Sequence, residues 1–391
     1  MVRRKIVGGA MACALMFGLA FAAGCDRKGP SEQPGEGQPT PPELPKKRIG
    51  VLLPLSGEHQ SDGEALLSGL KLALKKKGAT VGLDDSCLEI RDYGDSVADS
   101  LGLARDLMEL EDVPLVVGPV SPRAVEIIDE LARQRRVAVL TPASAPMKLS
   151  EIRPAVWRLT YTDEQEGKGL ATFAWKRLYR TAAIITDSNL AASEVRARAF
   201  RAQFETSGGH VLTQLSYTGG QTNFRRLVRM AAEQKPEVFY LPGGRLDTAG
   251  ILEEMKNQRV FGSVLGSTDW DTSVRFPASA GPGWTVFAPS RFHVGRTDVV
   301  TATFVSDYRA ANARQPDVMA ALGYDAGLVI FDAFAHAGRG RGALADAVAS
   351  VKLLTGATGR ITARNHGLAV EISVLRLKDR DFVFETTVDI E

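Results

Sequence analysis

Arg48-Ile49-Gly50-Val51-Leu52-Leu53-Pro54 reads as a short, continuously apolar strand that stops at a proline. Immediately afterwards the period changes. Leu66, Leu70, Ala73 and Leu74 fall on one face of a helix that runs into Lys75-Lys76-Lys77-Gly78, cations and a glycine where a helix end favours both. A strand without alternation is apolar on both faces, so it belongs inside a parallel sheet with helices on either side.

The same unit recurs downstream. Leu88-Glu89-Ile90-Arg91, Pro114-Leu115-Val116-Val117-Gly118 and Val137-Ala138-Val139-Leu140-Thr141 read as strands. Between them, Val97, Leu101, Ala104 and Met108, then Ala124, Ile127, Ile128 and Leu131, mark helix faces. The rhythm restarts near Tyr161. A helix places Leu170, Phe173, Ala174 and Leu178 inward, and an Arg- and Ala-rich helix places Val195, Phe200 and Phe204 inward. Strands follow at Ala182–Ile185, Val211-Leu212, Val238–Leu241 and Ser263–Gly266. Two such runs, each of about a hundred residues, predict two α/β lobes rather than one large sheet. The tail adds helices at Val299–Ala313, Val318–Ala337 and Leu344–Val351. It closes on an antiparallel hairpin, Ala369–Leu377 and Phe382–Val388, around Lys378-Asp379-Arg380-Asp381.

Upstream of the first strand the composition is different. Asp26 to Lys47 alternates Pro30, Pro34, Pro39, Pro41, Pro42 and Pro45 with glycines and polar residues, and its one large apolar side chain is Leu44. Such a segment has too little to bury to offset the entropy of ordering, which predicts a disordered, partly polyproline II leash. At about 3.1 Å per residue its reach is up to roughly 70 Å. Before it, Arg3, Arg4 and Lys5 precede an uncharged apolar run from Ile6 to Ala23 that ends in Phe21-Ala22-Ala23-Gly24-Cys25. A basic start, an apolar centre and small residues before a cut site predict an export signal.

Composition excludes several classes. The 391 residues carry 48 Lys and Arg against 46 Asp and Glu, a formal charge of +2, and removal of the first 24 residues takes this to −1. A near-neutral body lacks the concentrated basic face of a nucleic-acid binder. Three cysteines rule out a disulfide scaffold; with Cys13 in the signal and Cys25 at the cut site, Cys87 reads as a small apolar residue buried in a strand. The five histidines, His59, His210, His293, His336 and His366, have no metal-ligand spacing, and no nucleophile elbow, metalloprotease or phosphate-loop motif occurs. Gly338-Arg-Gly-Arg-Gly342 follows a helix rather than a strand and reads as a linker. The sequence therefore predicts no enzyme, no metal and no cofactor.

Phe21-Ala22-Ala23-Gly24-Cys25 resembles the lipobox of bacterial lipoproteins, which implies diacylglycerol on Cys25; the family's usual Leu is replaced by Ala22. The body carries a second resemblance. Ile49-Gly-Val-Leu-Leu-Pro-Leu-Ser-Gly57, Val117-Gly-Pro-Val-Ser121, Thr141-Pro-Ala-Ser144, Val156-Trp-Arg158, Leu265-Gly-Ser-Thr-Asp-Trp270, Ala321-Leu-Gly-Tyr-Asp-Ala326 and Thr358-Gly-Arg-Ile-Thr362 stand in order and spacing similar to the type I periplasmic solute-binding proteins of the leucine/isoleucine/valine-binding group. The resemblance implies two doubly wound parallel-sheet lobes joined by three crossing segments, which fall near 160, 287 and 356. On that basis residues 1–24 are the signal and 25–47 the lipidated cysteine and tether. Residues 48–160 with 288–356 form the first lobe, and 161–287 with 357–391 the second.

Ligand contacts implied by the resemblance are Ser56, Ser121, Ala143, Ser144, Tyr161, Leu190, Asp269 and Trp270. Ser121 precedes a helix with Pro122 at its first position, so its hydroxyl is either a plain helix cap or part of a carboxylate site. Asp269 is either a solvated loop carboxylate or the partner of a ligand ammonium, and Trp270 either lines the cleft or fills a core. Leu190 and Ala191 replace a Tyr–Gly pair of the family, and Ala145 replaces a threonine. The implied function is capture of a small amino-acid-like or amide-like solute for an ABC permease, from a membrane-anchored position outside the cytoplasm. A regulatory lipoprotein with the same fold, such as an activator of peptidoglycan synthases, and a sensory binding subunit are the alternatives.

Overall fold

The computed structural model describes residues 47–143, 155–270, 272, 275–277, 283–340 and 342–390. The expected export signal, Cys25, the expected leash up to Lys46 and the expected contact Ser144 lie outside the described residues.

The first run comprises β1 (Ile49–Leu53), α1 (Gln60–Lys77), β2 (Leu88–Asp92), α2 (Ser100–Arg105), β3 (Leu115–Val117), α3 (Pro122–Arg135), β4 (Ala138–Thr141) and β5 (Val156–Arg158). The second comprises α4 (Asp163–Lys176), β6 (Thr181–Asp187), α5 (Ala191–Thr206), β7 (His210–Tyr217), α6 (Arg225–Ala232), β8 (Val238–Tyr240), α7 (Arg245–Asn257), β9 (Ser263–Leu265) and β10 (Val286–Ser290). Then come α8 (Val299–Asn312), α9 (Val318–His336), α10 (Ala343–Ala349), β11 (Leu354–Thr355), β12 (Arg360–Arg364), β13 (Gly367–Ala369), β14 (Glu371–Lys378) and β15 (Asp381–Asp389).

Two sheets result. The first has the order β11-β12-β13-β5-β4-β3-β1-β2 and the second β15-β14-β10-β9-β8-β6-β7. In each, five consecutive strands are parallel in the doubly wound order 2-1-3-4-5: β2-β1-β3-β4-β5 and β7-β6-β8-β9-β10. The winding direction reverses beside β1 and beside β6. At such a reversal the loops leaving neighbouring strands part to opposite faces and open a crevice at the carboxyl ends. All four cores and both sheets are built from residues between 49 and 390.

The helix α9 is apolar enough in length and composition to cross a bilayer, yet 13 of its 19 residues are buried inside the first lobe. It packs directly on α1. A Cβ on Gly69 would meet the Ala320 carbonyl at 1.9 Å, and one on Gly323 would meet the Leu66 carbonyl at 2.0 Å, so the two backbones touch only because both residues are glycine.

Sheet pairing corrects the expected crossings. All of β10 sits in the second sheet, so the second crossing follows Ser290 and spans residues 291–298. The third lies at Val370, not near 356, because β12 pairs with β13 and β13 with β5 inside the first sheet. Residues 357–369 therefore belong to the first lobe. Three smaller expectations also shift. Leu178 lies past the end of α4 and is exposed, Val195 is half-buried while its neighbour Arg196 is buried, and Cys87 ends a 3₁₀ turn, half-buried, rather than standing in a strand. The hairpin β14–β15 is antiparallel, with Asp379 and Arg380 left-handed at its tip.

Two crossings are tied together. Arg296, buried in the second, donates from Nη2 to Glu371 Oε1 at 2.8 Å and from Nη1 to Ser373 Oγ at 2.9 Å, just beyond the third. The other Glu371 oxygen accepts from Arg360 Nε of β12 at 2.9 Å.

Candidate functional site

At the reversal in the first lobe, Asp92 and Tyr93 organise the loops. Asp92, at the end of β2, accepts from the amides of Leu55 (2.7 Å) and Gly94 (2.8 Å); these bonds and those from Ser56 hold its carboxyl below the usual range against desolvation. Ser56 is exposed on that loop. The Tyr93 hydroxyl accepts from the amides of Val120 and Ser121, both at 3.3 Å. Ser121 does precede α3, with Pro122 at its first turn, but its hydroxyl makes no cap hydrogen bond and is half-buried. In the adjoining loop the Ala143 amide donates to Thr141 Oγ1 at 3.1 Å, and that hydroxyl donates to the Pro119 carbonyl at 2.7 Å. The expected Ala143 amide is thus already paired within the protein.

The second lobe presents a charged cluster. Arg196 of α5 is buried, and its guanidinium meets three carboxylates. Nη2 is 2.6 Å from Asp163, Nη1 is 2.5 Å from Asp269, and Nε is 3.4 Å from Glu166. A second contact, Nη2 to Asp269 Oδ1 at 3.3 Å, makes the Asp269 pair bidentate. Glu166 also accepts from Thr268, from Oγ1 at 2.6 Å and from the amide at 3.2 Å. Burial pushes the Glu166 carboxyl up, against the pull of Arg196 and Thr268. Asp163 and Glu166 are enclosed, whereas the Asp269 side chain keeps 36% of its surface open. Asp269 is therefore the face of this cluster that solvent reaches.

A cavity of about 650 Å³ is walled by both lobes. From the first come Asp62, in the opening turn of α1, and Val318 and Met319, at the start of α9. From the second come Thr268, Thr272, Ser290 and Phe382, and the second crossing adds Arg291 to Val294. Asp62 acts electrostatically on Tyr93, the residue that holds the Ser121 amide, and Thr268 is bonded to Glu166 and adjoins Asp269. The cavity therefore borders the opening turn of α1 and the loop after β9, whereas Ser56, Ser121, Ala143 and Asp269 do not line it. A different cavity, of about 690 Å³, lies on the first lobe between α1, α8 and the turn at Asp84–Ser86, away from the facing loops.

Two expected contacts are corrected. Trp270 is fully buried, stacked on Phe276 with ring centroids 4.8 Å apart, and belongs to the second-lobe core rather than to the cleft. Tyr161 is also buried, packed in the core at the first crossing with the Arg291 guanidinium 5.7 Å from its ring centroid; it forms no open aromatic wall, and burial pushes its hydroxyl pKa up. Leu190 stands half-buried at the start of α5, beside Asp187, and does not line the 650 Å³ cavity. Sequence reasoning missed Asp62, Thr268 and Arg291. Asp62 had a signal, since it opens the helix that follows the first strand; Arg291 had one in its place directly after β10. Among the described residues no group of three or more His, Cys, Asp or Glu is arranged to hold a metal, and within the acidic cluster Arg196 fills the place a cation would take.

Two doubly wound lobes, joined by three crossings and sharing a cavity, define a two-lobed binding protein. Comparison with known proteins gives the family: the chain belongs to the periplasmic binding proteins, whose family profile matches residues 46–381. It is 25% identical over 293 residues, 73% of this chain and 76% of the relative, to the Leu/Ile/Val-binding protein BraC3 of Rhizobium johnstonii. A substrate-binding protein of an ABC transporter from Desulfitobacterium hafniense, solved with Leu, superimposes with a TM-score of 0.69 at 19% identity, covering 88% of this chain and 100% of that one. A solute-binding protein from Rhodopseudomonas palustris, in complex with 3,4-dihydroxybenzoic acid, does so with a TM-score of 0.65 at 19% identity, covering 88% and 98%.

Proposed function

We propose that this protein is the lipid-anchored, extracytoplasmic solute-binding subunit of an ABC importer, and that it captures a small amino-acid-like ligand between its lobes. The observation that carries this reading is Asp269. Its carboxylate is fixed by Arg196 at its back, opens toward solvent, and belongs to a cluster in which carboxylates outnumber the guanidinium at their centre. Such a group attracts an ammonium through a charge-assisted bond. The first-lobe loops around Ser121 offer the hydroxyl and the helix N-terminus that suit the ligand carboxylate. Closure then follows from differential contact: a ligand touching both walls stabilises the closed state over the open one.

The fold by itself leaves the solute open, since it hosts Leu in one relative and an aromatic acid in another. The sequence pattern of an export signal ending at Cys25 supports the anchor. A second reading, a regulatory lipoprotein whose cleft is vestigial, draws on the Ala143 amide being paired internally and on the replacement of the family's Tyr–Gly pair by Leu190 and Ala191.

A thermal-shift screen on the body starting at Lys47, unfolded and refolded to strip carried-over ligand, separates these readings. Free ligand at a hundred times its Kd adds about 2.7 kcal/mol and raises Tm by at least a few degrees. A selective shift with one solute class supports capture. A flat response across amino acids, amides, aromatic acids and sugars turns the assignment to the regulatory reading.

A further inference from the structure

We infer that the solute is an amino acid whose side chain is hydrophilic and carries both a hydrogen-bond donor and an acceptor, a carboxamide or ureido group, in place of a branched hydrocarbon. This rests on the reading of the cleft as an amino-acid site and specifies its side-chain end.

Beyond Thr268, the chain neighbour of Asp269, the cavity is lined by ionisable groups of both signs. The first-lobe wall carries Asp62 and Asp317, and the second-lobe side carries Arg275, Arg291 and, at the hairpin tip, Asp381. Asp317 commits one oxygen to the α9 cap, accepting from the Ala320 amide at 2.8 Å. Asp62 has His59 at 3.7 Å, both side chains largely exposed. Arg275 donates to the Asp379 carbonyl at 3.3 Å, and Arg291 stands over the Tyr161 ring. Hydroxyls fill in between: Thr272 Oγ1 donates to Ser290 Oγ at 3.1 Å, and Ser290 Oγ donates to the Phe292 carbonyl at 2.7 Å.

A hydrocarbon side chain closing this cavity strips water from carboxylates and guanidiniums and returns no hydrogen bond to either. A purely anionic side chain meets Asp62, Asp317 and Asp381; a purely cationic one meets Arg275 and Arg291. A neutral group with a carbonyl and an N–H answers both signs. Its carbonyl accepts from the arginine side and its N–H donates to the aspartate side, with no new charge to desolvate. Val318, Met319 and Phe382 then cover the methylenes that carry it.

Isothermal titration of the refolded body from Lys47, which contains both sheets and all four cores, tests this with eight probes. They are L-glutamine, L-asparagine, L-citrulline, L-leucine, L-isoleucine, L-valine, L-glutamate and L-lysine. The expected result is at least a tenfold tighter Kd for an amide or ureido probe than for any hydrocarbon one. Arg291→Met and Asp62→Ala, confirmed folded by circular dichroism, are each expected to reduce that ratio at least threefold. Tighter binding of leucine, isoleucine or valine, or of glutamate or lysine, overturns the side-chain assignment and leaves the amino-acid site standing. Binding of none of the eight overturns the site reading on which it rests.

Discussion

Arg196 and Asp269 are separated by 73 residues, yet Nη1 of one stands 2.5 Å from Oδ2 of the other. The pair is asymmetric in its surroundings: the arginine is enclosed by the second lobe, and the aspartate is part-way into solvent. Removing one end therefore differs from removing the other.

Arg196→Met leaves Asp163, Glu166 and Asp269 facing one another with their central cation gone. Breaking a buried pair in this way costs about 3–5 kcal/mol, to be read as a lower urea midpoint at unchanged m-value. Asp269→Asn leaves the guanidinium held by two carboxylates and is expected to cost about 1 kcal/mol or less, because this end is exposed and well screened.

For the ligand the order is reversed. With the solute identified by screening, Asp269→Ala is expected to weaken binding by about 1.5–3 kcal/mol and Ser121→Ala by about 0.5–1.5 kcal/mol. Calorimetric titration of each variant is the check. Unchanged affinity in both removes these residues from the site.

Trp270→Ala is expected to do the opposite of Asp269→Ala, although the two residues are neighbours. Its indole is fully buried against Phe276 and Phe382, so truncation costs about 3–5 kcal/mol of unfolding free energy. Ligand affinity of the folded fraction is expected to stay within threefold.

Asp325 gives a pH test. Its carboxyl, buried in α9, is pushed up to about 6 by desolvation, although it accepts from the amides of Ala357 (2.5 Å) and Thr358 (3.0 Å) and from the Thr358 hydroxyl (2.5 Å). A folded-state value above the unfolded 3.8 means stability is fully present below pH 4 and is lost as pH rises through about 6. Two units correspond to about 3 kcal/mol. The difference in unfolding free energy between the native chain and Asp325→Asn, measured from pH 4 to 7, is expected to shift by this order, with the native chain losing ground as pH rises. A difference independent of pH refutes the assignment.

The lobes were legible because each strand is a short apolar run and each helix carries its own stripe, both local patterns. Thr358 to Thr362 was harder. The strand Arg360–Arg364 is paired on one side with β11 and on the other with β13, and only that pairing shows it belongs to the first lobe. The site divided in the same way. Ser121 and Asp269 follow strands, which sequence can show, whereas the fate of their neighbours depends on distant partners. In Asp269-Trp270 a single 3₁₀ turn sends one side chain to Arg196 and the next into the core. Arg196 itself sits in an Arg- and Ala-rich helix, where no local pattern distinguishes it from Arg198 or Arg201.

The Arg296–Glu371 pair has a mechanical consequence. Of the three chain segments that connect the lobes, two are bolted to each other through this buried bond, and Arg360 grips the same carboxylate from the first-lobe sheet. A joint made of three independent strings allows swivel, slide and bend alike. Bolting two of them into one bar opposes relative sliding and leaves bending as the cheaper motion for such a joint.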